Sequence, residues 1–300
     1  LVAYWCSEVM PVRPVDHGIV SASGAGGAEI TGGNSYDSQG DGYIYEEFTS
    51  SGTATVTGDL TVDLIVVGGG GGLSNSAQYN RNSFSGAGGG GGVLLATGLA
   101  VTAGDYTVTI GALGSNGASA SQYGTNGGTS VVEIGGVRWT ASGGGFGGWG
   151  GDYYAGNGNA GSAADTSNPN SLSGVQSSGG ASGGSGLWSG YTGATAGSGA
   201  SSYNTGGNGG ATVTLHSGGN GAGTDWYGSP GGGGSGTGNA GSKPGGGAGE
   251  TWNNFESASD VYGSGGTATG TDSAGTGYGK GSSWSNGNGQ AGVVIFRWAA

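Results

Sequence analysis

Apolar and polar positions alternate in several short segments of the first half of the chain. The clearest is residues 59–67, where Leu60, Val62, Leu64 and Val66 fall on one face of an extended chain. The second half of this segment is apolar on both faces, which is typical of a strand that is covered on both sides. We therefore expect a central β-strand that ends at residue 67.

Other segments on both sides of this strand show the same pattern. Residues 129–134 and 137–141 flank Gly135 and Gly136, a two-residue loop of the kind that closes tight hairpins. No segment has the period of an amphipathic helix over a useful length, so we expect almost no α-helix. A further strand begins near residue 28, and the others are expected at residues 43–49, 53–57, 93–97, 106–110 and 293–298.

The second part of the chain is a glycine-rich body in which this alternation disappears. Glycine accounts for 82 of the 300 residues, whereas its usual share is about 7%. Within residues 143–152, Phe146, Trp149 and Asp152 are spaced by three. In residues 206–211, Asn208 and Ala211 are likewise three residues apart among glycines. Three residues per turn is the period of an extended left-handed helix, and helices without Cβ atoms can hydrogen-bond to one another through their backbones. We therefore predict short polyglycine-II-like helices in this body.

These patterns predict an all-β protein with almost no α-helix. Its framework is expected to be a β-sandwich built from residues 28–141 and closed by residues 293–298, and residues 142–292 are expected to form the glycine-rich loop body. Residues 1–27 contain two prolines and are interpreted as an N-terminal linker or attachment segment. The sequence thus predicts one glycine-rich β domain over residues 28–300.

Charge and composition exclude several classes of function. The formal net charge is −12 and the six Lys and Arg residues are scattered, so we expect no binding to nucleic acid through its phosphates. No apolar run approaches the ~18 residues of a membrane-spanning helix. The two histidines, His17 and His216, are far apart in the sequence and belong to no ligand cluster. We therefore expect neither a metal site nor a cofactor.

Apparent catalytic and ligand motifs are better explained by the abundance of glycine and serine. The G-x-S-x-G match at residues 180–184 follows no predicted strand. Lys280 is followed by glycine where a phosphate-binding loop needs Ser or Thr, and Phe48 occupies the Glu position of a calcium-binding loop. No pair of carboxylates stands out among the 18 acidic residues. We expect no catalytic residues and predict that the protein is not an enzyme.

Tyrosine and tryptophan recur at turns of the glycine-rich body, flanked by Gly, Ser and Asn. Antibody binding loops have this composition, because rigid aromatic rings supply contact area and small polar residues adapt. We expect these residues to lie mostly on exposed loops, with a subset clustered at one end as a receptor-binding surface. The alternative is that they pack against the flanks of the glycine body. The candidate receptor-binding residues are Trp188, Tyr191, Tyr203, Trp226, Tyr227, Trp252, Tyr262, Tyr278 and Trp284.

Residues 28–298 resemble the glycine-rich domain of phage tail-fibre tips and related adhesins. The resemblance is carried by ITGGNSYDSQGDGYIYEEFTSSGTATV, VDLIVVGGGGG, GDYTVTIG and the C-terminal GVVIFRW. It implies glycine helices stacked in layers, with variable aromatic loops at the distal end that touch a bacterial receptor. It also implies a non-enzymatic adhesin on an extracellular virion tail fibre, whose receptor is an outer-membrane protein or a surface glycan. The N-terminal segment would then join an upstream fibre module.

The glycine phases of this chain are interrupted more often than in that family, so the number and length of the helices stay open. Other functions also stay open from the residues alone. One is a structural virion or cell-surface protein in which the glycine body gives only rigidity. Ice binding is a weaker alternative because regular Thr or Ala rows are missing, and a glycan hydrolase would need two facing carboxylates. Aromatic residues clustered at one end favour binding, and scattered or buried ones favour a structural role.

Overall fold

The computed structural model contains β-strands and no helix in the part of the chain that it describes, which confirms the all-β prediction. The described residues are 27–37, 42–74, 83–117, 123–149, 157, 159–167, 172–188, 198–221, 231, 233–234, 246–251, 261–266, 277–283 and 289–300. The strands among them are β1 (Ile30–Thr31), β2 (Asn34–Asp37), β3 (Tyr43–Phe48), β4 (Gly52–Val56), β5 (Leu60–Val67), β6 (Ser83–Phe84), β7 (Val93–Val101), β8 (Gly104–Thr109), β9 (Ser130–Ile134), β10 (Val137–Ala141), β11 (Gly174–Ser178), β12 (Leu187–Trp188), β13 (Tyr203–Gly206), β14 (Thr212–Leu215), β15 (Glu250–Thr251), β16 (Val261–Tyr262) and β17 (Val293–Ala299).

One sheet has six strands in the order β14-β7-β5-β17-β3-β2. Strand β5 lies between β7 and β17 and pairs antiparallel with both, so that Val66 is opposite Leu94 on one side and Val294 on the other. The predicted central position of this strand is confirmed. Its neighbours cover both of its edges, and Ile65 and Val66 are buried on opposite faces.

The other large sheet has seven strands in the order β1-β4-β8-β9-β10-β11-β13. Strands β9 and β10 form the predicted hairpin, with φ values of 61° and 72° at Gly135 and Gly136. Positive φ at both loop residues matches the twist of the flanking strands and is accessible to glycine at little steric cost. Strand β11 then pairs parallel with β10, with Val137 opposite Gly174.

The main hydrophobic core lies between these two sheets, so the predicted sandwich is confirmed. Leu64 and Val66 of β5 face this core, as the alternation predicted, and Trp139 of β10 faces it from the other sheet. The rings of Phe48 and Phe296 meet edge to face, with centroids 6.0 Å apart. Apolar area removed from water in this way stabilises the fold by about 25 cal/mol per Å².

The second face of the six-stranded sheet is also covered. Tyr45, Ile65 and Ile295 face away from the main core and form a second cluster with Tyr262, and Tyr278 packs against it. Both Tyr262 and Tyr278 belong to the glycine-rich part of the chain. That part therefore packs against the sheet and supplies a few large side chains to it.

The sandwich takes more of the chain than the sequence predicted. Strands β11, β13 and β14 belong to the two large sheets, although all three lie within residues 142–292. Their sequences, GVQSS, YNTG and TVTL, are short, and the first two consist mostly of glycine and polar residues. GVQSS and YNTG lack the apolar alternation that reveals a strand, and TVTL shows it over only four residues, so the predicted boundary of the framework at residue 141 left them out.

The expected extended helix at residues 206–211 is wrong. Gly206, Gly209 and Gly210 have φ values of 72°, 61° and 84°, and the backbone N–H of Ala211 donates to the carbonyl of Asn208 at 3.0 Å. These residues form a tight turn, because the chain must cross here from β13 in one sheet to β14 in the other. Glycine serves here to allow positive φ.

The predicted attachment segment, except for Gly27, lies outside the described residues. Its role is therefore a prediction that rests on the sequence alone. In the described ranges the chain forms strands, turns and irregular segments. These ranges contain no helix that is long and apolar enough to cross a membrane.

Candidate functional site

Several strands of the sandwich continue directly into glycine-rich segments that belong to no sheet. Residue 68 follows β5, residue 142 follows β10, and residue 292 precedes β17. These segments together are called the glycine lattice, and the end at which they join the strands is called its near end. The lattice comprises the described residues 68–74, 85–92, 111–117, 123–129, 142–149, 159–167, 179–186, 198–202, 216–221, 231, 233–234, 246–249, 263–266, 277–283 and 289–292.

The segment that follows β5 lies in the middle of the lattice, and its N–H groups donate with a period of three. Residues three apart donate to the same neighbouring segment, and the two residues between them donate to two other segments. The pairs are Gly68 with Gly92, Gly71 with Gly89, Gly69 with Gly128, Gly72 with Thr125, and Gly70 with Gln290, at distances of 2.8 to 3.0 Å. Three neighbouring segments therefore accept hydrogen bonds from this one.

The carbonyl groups of the same segment accept from three further segments. Again, carbonyls three residues apart bond to the same neighbour. The donors are Gly144 to Gly69, Gly147 to Gly72, Gly114 to Gly70, and Ser282 to Gly71, at 2.8 to 3.0 Å. The segment at residues 68–72 is thus surrounded by six others, and backbone groups that would be costly to bury unpaired find partners in all directions.

Close approach of these backbones explains why glycine is required. A Cβ atom added at Gly70 would collide with the carbonyl of Lys280, and one added at Gly71 would collide with the carbonyl of Gly145. Both separations fall below the 3.0 Å that real Cβ atoms respect. The colliding groups are backbone, so they cannot rotate away as the end of a flexible side chain could.

The segment at residues 142–149 follows the same rule. Ser142, Gly145 and Gly148 donate to Ser178, Ala181 and Gly184, so the donors and the acceptors both advance by three residues. Its side chains follow that period too: Phe146 and Trp149 are half-buried, whereas the glycines between them are buried. The prediction that these backbone groups bond to other segments is confirmed for this stretch.

The lattice has a far end opposite the sandwich. Gly68 and Gly92, which pair with each other, both adjoin strands, whereas Ser74 accepts from the backbone N–H of Gly124 at 3.1 Å and neither of these adjoins a strand. The segments therefore run side by side away from the sandwich. Away from the strands of the two large sheets, the described chain is interrupted between residues 74 and 83, 117 and 123, 149 and 157, 188 and 198, 221 and 231, and 283 and 289.

The structure describes four of the nine candidate receptor-binding residues and brings only two of these four together, Tyr262 and Tyr278. Tyr262 is fully buried in the second cluster, so its expected exposure is wrong: its ring covers the six-stranded sheet. Tyr278 is half-buried against the same cluster. Tyr203 is half-buried on the edge strand β13, and Trp188 lies in β12, paired with Ser83. The candidates outside the described residues are Tyr191, Trp226, Tyr227, Trp252 and Trp284.

The described residues that flank these five candidates fall into two groups. The interruptions that contain Tyr191, Trp226, Tyr227 and Trp284 are three of those that adjoin no strand of the two large sheets. The interruption that contains Trp252 is flanked by Thr251 and Val261, which pair with each other next to Tyr262. That pair lies beside the second cluster, near the sandwich.

The sequence analysis missed Tyr123, an exposed aromatic residue of the lattice. Tyr123 is 56% exposed, and its ring lies 5.6 Å from that of Phe146 on a neighbouring lattice segment. The side-chain oxygen of Asn126 accepts from the backbone N–H of Phe146 at 3.1 Å and from the amide of Asn159 at 3.2 Å. The signal was present, because Tyr123 stands between Gln122 and a glycine as the other candidates stand among small polar residues.

The charged groups on the outer face of the seven-stranded sheet form a structural network. Arg138 contacts Glu133 and Asp165, both at 2.9 Å. Burial raises the pKa of the Asp165 carboxyl. Hydrogen bonds from Ser167 and the charge of Arg138 lower this pKa by more than burial raises it, so the net pKa lies below its ordinary value. Because both acids are tied to one guanidinium, this arrangement fastens residues 159–167 to the sheet.

Comparison with known families agrees with this architecture. A profile of a glycine-rich domain family matches residues 48–299. The chain belongs to this glycine-rich domain family. The match runs from the end of β3 to the end of β17. It therefore covers the whole lattice and all of the sandwich except β1, β2 and most of β3. No curated protein is significantly similar to the chain.

Proposed function

We propose that this glycine-rich domain is a non-enzymatic receptor-binding adhesin at the tip of a phage tail fibre. In this role the sandwich carries the lattice, and the lattice holds aromatic loops at its far end against the host cell surface. The receptor is an outer-membrane protein or a surface glycan, and residues 1–27 join an upstream fibre module. The protein acts outside the cell, as part of the virion.

The lattice segments are proposed to be polyglycine-II-like helices. The period of three in the hydrogen bonds of residues 68–72 and 142–149 supports this, because a helix with three residues per turn directs successive groups to three different neighbours. Such packing makes the lattice rigid, since each segment is held by several others. A rigid support lowers the ordering cost when loops bind a receptor.

The observation that carries the binding function is the position of the loop ends. Residues 188, 198, 221, 231, 283 and 289 flank the segments that contain Tyr191, Trp226, Tyr227 and Trp284, and none of them adjoins a strand of the two large sheets. Aromatic residues supplied from several segments to one end of a rigid body are suited to form a receptor-binding surface.

A structural role is the second candidate, and a specific observation favours it for part of the set. Tyr262 is fully buried, and Tyr278 packs against the same cluster. These two residues stabilise the contact between the lattice and the six-stranded sheet. If the remaining candidates behaved in the same way, the lattice would give rigidity alone.

Two matched tryptophan variants separate these functions. In the sequence, Trp226 falls between the lattice residues Gly221 and Gly231, which adjoin no strand of the two large sheets. Trp226→Ala should therefore weaken binding to whole bacterial cells by at least about 2 kcal/mol, roughly thirtyfold, without lowering thermal stability. Trp252 lies between residues that pair beside the second cluster, so Trp252→Ala should lower thermal stability and leave binding by the folded protein unchanged. Binding is measured on a panel of bacterial strains and on their isolated outer-membrane fractions.

The opposite pattern would refute the binding function. If Trp226→Ala and Trp188→Ala both lower the melting temperature and neither weakens binding, these tryptophans are structural and a receptor site lies elsewhere. If the wild-type protein binds no cell in the panel and no membrane fraction, the structural function is favoured.

A further inference from the structure

The chain contains seven asparagines that are followed directly by glycine. This dipeptide is prone to spontaneous deamidation, because the glycine has no side chain to hinder attack by its own nitrogen on the asparagine amide. The structure describes both residues in four of the pairs. The seven asparagines are Asn116, Asn126, Asn157, Asn208, Asn220, Asn286 and Asn288, and the four fully described pairs begin at Asn116, Asn126, Asn208 and Asn220.

In three of these four pairs the attacking nitrogen is already engaged. The N–H of Gly117 donates to Leu73 and that of Gly127 to Gly144, both at 2.9 Å. The N–H of Gly221 donates to the hydroxyl of Ser182 at 2.6 Å. Each bond belongs to the lattice, so the nitrogen can attack only when the lattice opens locally.

The fourth pair differs, because Asn208 and Gly209 lie in the turn between β13 and β14. Among the residues that the structure describes, none accepts a hydrogen bond from the N–H of Gly209. The side-chain oxygen of Asn208 accepts from the backbone N–H of Gly210 at 3.1 Å. This donor is placed where negative charge develops when the amide carbonyl is attacked. Asn208 is exposed, so water can reach it.

We propose that Asn208 is a site of self-modification, and that it deamidates faster than the asparagines held in the lattice. The backbone nitrogen of Gly209 loses its proton to solvent base and bonds to the side-chain carbonyl carbon of Asn208. The bond from that carbon to the side-chain nitrogen breaks, and ammonia leaves with a proton from solvent. Water then opens the resulting succinimide at either carbonyl and gives aspartate or isoaspartate. No oxidant or enzyme is needed.

The modification would weaken the link between the two sheets. The side-chain amide of Asn208 donates to the carbonyl of Ala211 at 2.6 Å, and a carboxylate in its place would set two acceptors against each other. Isoaspartate would also lengthen the backbone of the turn. A Cβ added at Gly209 would meet Leu99, so the turn lies against the main core and a change in its path disturbs that core.

Peptide mapping of the folded wild-type protein after incubation at mildly alkaline pH tests this order. Aspartate and isoaspartate are quantified by mass spectrometry at Asn116, Asn126, Asn208 and Asn220 in one sample. Deamidation at Asn208 should be at least about tenfold faster than at each of the others, because their nitrogens must first lose a hydrogen bond of the lattice. In denaturing urea the four rates should converge, since all four are Asn-Gly pairs.

A variant tests the cause of the difference. Ser182→Ala removes the hydroxyl that accepts from Gly221, so deamidation at Asn220 should rise severalfold while Asn116 and Asn208 keep their rates as internal references. Equal rates at all four sites in the folded protein, or a slower rate at Asn208, would overturn the proposal. An unchanged rate at Asn220 in Ser182→Ala would show that the bonded nitrogen is not what protects these asparagines.

Discussion

The sandwich is stabilised mainly by its side chains, and the glycine lattice is stabilised mainly by its backbone. In the sandwich, large side chains such as Trp139 and Phe296 fill the space between the two sheets and keep the sheets apart. In the lattice, the backbones themselves are in contact, and Gly71 both donates to Gly89 and accepts from Ser282. A side chain is therefore the source of stability in one region and an obstacle in the other.

The boundary between the regions shows how the two modes are joined. Ser130 begins β9, and its hydroxyl donates to the carbonyl of Val67 at 2.6 Å and accepts from the N–H of Gly111 at 2.9 Å. One small polar side chain thus pairs the last backbone group of a strand with the first of a lattice segment. Serine is small enough to fit between the approaching backbones, and its hydroxyl can both donate and accept.

The largest effect is expected from removing a side chain in the sandwich. Trp139 is fully buried, and its indole N–H donates to the carbonyl of Ile134 at 3.4 Å. Trp139→Ala should lower the free energy of unfolding by about 3–5 kcal/mol, because it leaves a cavity as well as removing apolar burial. Denaturant unfolding measures this change, with Tyr123→Ala as an exposed aromatic control that should change stability by about 0.5 kcal/mol or less.

A smaller effect, from the opposite change, is expected in the lattice. Gly71→Ala adds one methyl group against the carbonyl of Gly145, and the neighbouring backbones must move apart, at a cost of about 1–3 kcal/mol. The matched control is Gly52→Ala in β4, where the nearest atoms to the added Cβ are 3.9 Å away. That change should be neutral or stabilising by up to about 1 kcal/mol, because the added Cβ fits without a clash and alanine restricts the unfolded chain.

The comparison fails if the two glycine variants behave alike. Equal loss of stability in Gly71→Ala and Gly52→Ala would mean that alanine acts through general backbone preference and that lattice contacts are unimportant. A neutral Gly71→Ala would mean that the segments can separate without cost, and the lattice would not be the rigid support that the binding function requires.

The sequence predicted the sandwich well where side chains carry it. Leu64 and Val66 showed their shared face, and the hairpin at Gly135 and Gly136 was readable from two glycines between strand residues. Strands β11 and β13 escaped because small polar residues pair there without an apolar alternation. Their place in the seven-stranded sheet depends on backbone pairing with distant partners, which single-segment patterns do not contain.

The candidate site was less predictable, for a related reason. The spacing of Phe146 and Trp149 indicated a period of three, and the hydrogen bonds of that segment follow it. The same phase at residues 206–211 marked a turn instead, because glycine serves both close packing and positive φ, and the sequence does not distinguish these uses. Tyr262 was expected on an exposed loop, and no local feature revealed that the six-stranded sheet has a second apolar face for it to cover.

The smallest effect is expected where a lattice segment is tied to the sandwich by charge. The pKa of Asp165 is lower in the folded protein than its ordinary value of 3.8. Its contribution to stability is therefore complete above that value and is lost as the pH falls through the folded pKa. Asp165→Asn should reduce stability at neutral pH by about 0.2–1 kcal/mol, because the ion pair with Arg138 is partly solvated.

Protonation of Asp165 makes the wild type resemble this variant, so the difference between the two proteins should shrink as the pH falls below about 4. Melting temperatures of both proteins, measured from neutral to acid pH, check this. Glu133→Gln removes the other partner of Arg138 and serves as the matched control. High salt at neutral pH should also reduce the difference, since it screens the pair.

A difference between wild type and Asp165→Asn that is independent of pH and salt would contradict a contribution of the ion pair between Asp165 and Arg138. Residues 159–167 would then be held to the sheet through uncharged hydrogen bonds, such as the one that the backbone N–H of Asp165 donates to the hydroxyl of Ser177, and the lattice would meet the sandwich without any electrostatic contribution at this contact.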